Sequence, residues 1–124
     1  MIRRFSQDGT LKAGPVPTNP PMWAFAGADD SLVAITCDSS LTTLSEAIAF
    51  DSFLQKLWSI DLGQGNCAGA ATVLNDDGRL FVVRETRSGT ELLAIQTTSP
   101  GPARVSWSRT YGRDSRATGW LVAP

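Results

Sequence analysis

The feature that most constrains this chain is that it comes close to repeating itself. "DDSLVAIT" from Asp29 is matched by "DDGRLFVV" from Asp76, Ala47 and Ile48 by Ala94 and Ile95, and "WS" at Trp58 by "WS" at Trp107. The offsets run from 47 to 49 residues, and Gly63 and Gly112 keep the spacing of the tryptophans. A period of this length means one supersecondary unit used twice, each unit leaning on its neighbour to cover an apolar face.

Within each unit the apolar residues fall in short runs: "LVAI", "EAIAF" and "KLWSIDL", then "ATVL", "RLFVV", "ELLAIQ" and "RVSWS". Between them stand "DD", "DDG", "RSG" and "SPGP", where glycine supplies positive φ, proline fixes φ and aspartate caps its own backbone. Short strands joined by tight turns predict antiparallel sheet. "EAIAFDSFLQKLW" contains good helix formers, but its counterpart holds Pro100, Gly101 and Pro102, so strand, turn, strand is preferred. Four short strands in about 45 residues is the arithmetic of a propeller blade. The expected fold is therefore all-β: antiparallel four-stranded blades of a β-propeller, about two of them plus a closing segment, an incomplete ring. The division is residues 1–21 as an N-terminal segment or the end of a preceding blade, 22–63 and 64–112 as the two repeats, and 113–124 as the closing segment.

Composition matters chiefly for what it excludes. The 124 residues include no histidine, so there is no Ser/His/Asp triad, Cys/His dyad or imidazole base. Eleven basic residues stand against twelve acidic ones with no basic cluster, which makes nucleic acid a poor partner. No apolar run reaches the roughly 20 residues of a membrane span, and "MIRRFSQDG" lacks the apolar core of a signal peptide. Cys37 and Cys67, thirty apart, fit no metal or redox motif. They are read either as one disulfide in an exported chain or as two buried small hydrophobes, since spacing cannot bring two Cβ atoms together.

"DDGRLFVVRETRSGTELLAIQTTSPGPARVSW" and, less fully, "DDSLVAITCDSSLTTLSEAIAFDSFLQKLW" resemble the blades of PQQ-like propellers. "SRTYGRDSRATG" is similar to the segment with which many bacterial members close the ring, through Tyr111, Gly112, Arg113, Asp114, Thr118 and Gly119. Family blades carry a docking turn with an aspartate and a Thr-Gly pair. Here one copy keeps Asp51 but has "FLQ", and the other has Gln96 in place of the aspartate. The resemblance implies a non-catalytic, rigid interaction module of an exported bacterial protein, periplasmic or at the cell surface. Its partner would be another protein, further blades or a second copy, and it would hold no cofactor. The alternative is a piece of a PQQ-dependent quinoprotein dehydrogenase whose catalytic residues lie elsewhere.

The chemistry-bearing residues each have a plain structural reading. "NDDG" at Asn75 offers carboxylates, yet lacks the alternating ligands of a calcium loop and reads as a hairpin turn. Trp58 and Trp107, recurring at the repeat period, read as packing between units rather than a sugar platform. Glu46, Asp51 and Asp61 are expected as turn and edge carboxylates, not a paired catalytic set. Arg113, Asp114 and Arg116 suggest an anion clasp or, preferably, an ion pair holding the closing segment. Two blades alone are expected to leave outer faces bearing Trp23, Phe25, Phe81 and Leu93 in contact with water.

Overall fold

A computed structural model of the chain describes residues 1–6, 8–40 and 42–103. Those residues form nine strands and no helix, all paired antiparallel. β1 (Ile2–Phe5) and β2 (Leu11–Val16) make a hairpin. β3 (Pro21–Ala26), β4 (Leu32–Cys37), β5 (Leu44–Phe50) and β6 (Lys56–Asp61) form a four-stranded meander in chain order. β7 (Ala71–Leu74), β8 (Arg79–Thr86) and β9 (Gly89–Gln96) form a second, three-stranded one. The sequence "EAIAFDSFLQKLW" is indeed strand, turn, strand.

Period-two alternation sorts these strands into three layers. Phe25, Val33, Ile35, Ala47 and Ala49 on one face of the first meander meet Leu74, Leu80 and Val82 of the second, with Trp23, Trp58, Leu93 and Ile95 packed around them. The opposite face of the first meander, Ala34, Ile48 and Phe50, is covered by Ile2, Ala13 and Val16 of the hairpin and by Leu54. Each sheet thus covers an apolar face that it could not cover alone.

This arrangement corrects the expectation for the outer faces. Phe25 is only 2% exposed, and Trp23 and Leu93 pack against the shared core. Alternation along a strand shows which residues share a face; only the packing decides which face meets a neighbour. Of the four residues named, Phe81 alone lies outside both core clusters.

The matched stretches from Asp29 and Asp76 lead into β4 and β8, each the second strand of its sheet. Val33 and Ile35 pair with Ala49 and Ala47, while Leu80 and Val82, their counterparts 47 residues on, pair with Ile95 and Leu93. Leu93 therefore stands where Ala47 stands, and the matched Ala–Ile dipeptides are one residue out of register. A one-residue slip exchanges the two faces of a strand.

Candidate functional site

The residues that most define this molecule are those that fasten one layer to the next. At one end of the meanders the turns Gly27–Ser31 and Asn75–Gly78 lie side by side, held by the segment that follows β9. Thr97 Oγ1 donates to the Gly78 carbonyl at 2.6 Å, the Ala28 amide donates to the Gly101 carbonyl at 2.9 Å, and the Ala103 amide donates to that of Ala26 at 2.8 Å. The packing is close enough to require glycine. A Cβ on Gly78 (φ 77°) would run into the Ser99 carbonyl, and one on Gly101 (φ 114°) would lie 2.7 Å from that of Asp76.

The opposite end has its own clamp. The loop between β6 and β7 lies between the sheets, its Gly65 carbonyl accepting from the Leu44 amide at 3.3 Å and its Asn66 amide donating to the Glu85 carbonyl at 2.8 Å. Cys67 in this loop is bonded to Cys37 at the end of β4, with Cα atoms 6.2 Å apart. Both sulfurs are buried in the shared core. Beneath the loop Arg84 stands opposite Glu91 and donates to its carboxylate through Nε at 3.0 Å and Nη2 at 2.8 Å. A Cβ on Gly65 would come within 2.7 Å of the Arg84 Cδ, so that glycine lets the loop lie on the arginine stem.

The hairpin layer is fastened more lightly. Arg4 donates to the Ser52 carbonyl and pairs with Asp30 at 3.0 Å, and Leu54 enters the core beneath the hairpin. Here too the segment after a third strand, Asp51–Gln55 following β5, meets the preceding layer, as 97–103 does after β9.

The remaining residues singled out from the sequence have local partners. Asn75 and Asp77 side chains accept from the Arg79 amide at 2.7 and 3.1 Å, closing the "NDDG" turn on itself. Among the described residues no group of three or more His, Cys, Asp or Glu is placed to hold a metal ion. Asp51 accepts from the Phe53 and Gln55 amides, and Asp61 from that of Gly63, whose φ of 64° makes it a turn residue. Glu46 stands directly across from Asp61 with Lys56 3.9 Å away, while Asp51 belongs to the turn after β5. The three carboxylates do not converge. Trp58 packs in the shared core and its Nε1 donates to Thr98 at 3.2 Å. Trp107, Gly112, Arg113, Asp114 and Arg116 lie outside the described residues.

One polar knot was not singled out from sequence. Asp38, opening the loop between β4 and β5, accepts from Thr43, Ser40 and Thr42, and the Thr43 and Ser40 hydroxyls hold its carboxyl well below the usual carboxylate range. The sequence signal was present in "DSSLTT", an aspartate followed by hydroxyl residues able to fold back on it.

Comparison of the chain with family models, curated proteins and solved structures gives no match. No helix among the described residues is long and apolar enough to cross a membrane.

Proposed function

We propose that this chain is a stack of propeller-type blade repeats serving as a rigid, non-catalytic interaction module of an exported protein. The observation that carries the reading is the repetition of one device. Two meanders of the same strand order lie face to face, and after the third strand of each the chain reaches back to fasten the preceding layer. Such stacking gives a stiff body with broad sheet faces, which suits holding partners in fixed relation. The Cys37–Cys67 bond supports an oxidising compartment, where disulfides persist.

The test separates this reading from the dehydrogenase alternative. Titration of the full chain with pyrroloquinoline quinone and calcium, followed by absorbance, is expected to show no saturable complex. A stoichiometric complex would overturn the module reading.

A further inference from the structure

The outer side of the β1–β2 hairpin combines two kinds of side chain that the rest of the fold keeps apart. Ile2, Ala13 and Val16 pack on the first meander and Arg4 reaches Ser52 and Asp30. Met1, Arg3, Phe5, Leu11 and Lys12 are left exposed. Phe5 stands opposite Leu11, the two 55% and 48% exposed, and Met1 is 63% exposed. Arg3 falls between Met1 and Phe5 in the alternation, and Lys12 follows Leu11. Among the described residues neither Arg3 nor Lys12 has a carboxylate partner, whereas Arg4, Lys56, Arg79 and Arg84 each pair with one.

The charge of the chain is divided in the same way. Residues 1–28 hold three basic side chains and one acidic one, Asp8, which accepts from Ser6 and from the Thr10 amide at the hairpin tip. Residues 29–103 hold four basic and ten acidic. Unmatched positive charge therefore gathers on the layer at one end of the stack, beside three large apolar side chains left in water. An exposed cation alone is ordinary surface. Basic and apolar side chains sharing one side of a two-stranded layer suit a bilayer interface, where long basic stems carry charge to the phosphates and apolar neighbours enter the boundary below. Other occupants match less well. Residues 104–124 carry four arginines and one aspartate, the same sign of charge as the hairpin. A second copy has most of its carboxylates committed, either to the four ion pairs or to capping their own turns.

We propose that the outer side of the β1–β2 hairpin is a peripheral docking surface for an anionic lipid bilayer, with Arg3 and Lys12 at the lipid phosphates and Met1, Phe5 and Leu11 at the boundary between headgroups and acyl chains. The molecule rests on the bilayer, and its acidic meanders are held away from the like-charged surface. Docking of this kind goes beyond the module reading and names a surface on which such a module is held. Each basic residue near an anionic surface is worth roughly fivefold in partition, so Arg3 and Lys12 together supply about 25-fold, and the contact weakens as salt rises.

The experiment is co-sedimentation of the oxidised full chain with vesicles of equal parts phosphatidylglycerol and phosphatidylcholine, and with phosphatidylcholine alone, over a lipid and a salt series. The wild type is expected to bind the anionic vesicles, to be released by salt, and to leave the phosphatidylcholine vesicles bare. Arg3→Gln combined with Lys12→Gln should lose about 25-fold in partition. Phe5→Ser combined with Leu11→Ser should lose about tenfold. In Phe5→Trp, brominated lipid should quench fluorescence more than in wild type, which marks that residue at the acyl boundary. All these positions are exposed, and urea midpoints establish that the variants are folded. Arg87→Gln, at an exposed arginine of the β8–β9 turn, should bind as wild type does. Absence of binding to anionic vesicles, equal binding to both vesicle types, unchanged binding in either double variant or absence of added quenching each overturns the lipid docking. Growth in mass of the free chain that Arg3→Gln with Lys12→Gln abolishes, without vesicle binding, also overturns it and assigns the surface to a second copy. Failure here is distinct from failure of the module reading, which falls only to a quinone complex.

Discussion

Breaking the Cys37–Cys67 bond tests how much of the stability resides outside the folded contacts. The bond spans 30 residues of chain, from the end of β4 to the loop entering β7. Closing a loop of that length removes about 12 cal/mol/K of entropy from the unfolded chain, or about 3.6 kcal/mol at room temperature. Against the roughly 5–15 kcal/mol typical of a domain this is a large fraction. Two perturbations divide the effect. Reduction of the wild type leaves the two side chains in the core and reads the cross-link alone, whereas Cys37→Ala with Cys67→Ala also removes two buried sulfurs. In urea unfolding followed by tryptophan fluorescence, reduction is expected to lower stability by about 3 kcal/mol and to raise the m-value, because the released chain exposes more surface on unfolding. The double variant loses about 1 kcal/mol more through lost packing. Both sulfurs are buried, so reduction without denaturant should proceed only as fast as the clamp opens. A reduced protein within about 1 kcal/mol of the oxidised form would refute the cross-link reasoning. Free thiols titrating in the denatured, unreduced chain would refute the bond itself.

Three further outcomes follow from single positions. Leu54 holds φ 61° while its side chain is buried beneath the hairpin, so Leu54→Ala should cost about 2–3 kcal/mol and Leu54→Gly about 1 kcal/mol less than Ala, the reverse of the usual order; thermal unfolding of both variants checks it. Gly78→Ala forces a Cβ against the Ser99 carbonyl at φ 77°, and a loss of about 2 kcal/mol or more is expected, with faster hydrogen exchange at Ala28 marking a loosened clamp. Asp38 has a depressed folded pKa, so its contribution is fully present above the ordinary value of 3.8 and is lost as pH falls below it towards the folded value. Urea midpoints measured between pH 6 and pH 2 should therefore fall more steeply for wild type than for Asp38→Asn, and equal slopes would count against the knot.

The parts of this fold readable in advance are those written locally. "NDDG" and "RSG" are turns whichever sheet they serve, because glycine conformation and aspartate capping act within four residues. Residues 1–21, expected as an N-terminal segment or the end of a preceding blade, hold a hairpin whose alternation two register shifts interrupt, leaving Ile2, Ala13 and Val16 at spacings that match no strand template. The exposure expected for Phe25 and Leu93 failed for a different reason: the pattern names a face but not its neighbour. The Arg84–Glu91 pair depends on a register that only the completed turn after β8 defines. The two cysteines meet through the path of a loop, which their spacing does not encode.

The unequal fastening of the layers gives the molecule a mechanical order. The two meanders are clamped at both ends, one clamp covalent, while the hairpin is held by Arg4 and a small apolar contact. Under tension applied at the N-terminus, the hairpin should peel first, releasing roughly 50 Å of chain at about 3.4 Å per residue. The rest then resists as one body, and the chain between Cys37 and Cys67 stays withheld from extension while the disulfide is intact. A pulling trace of the oxidised protein should therefore be shorter than that of the reduced one by the length of that loop, and its first step should be the same in both.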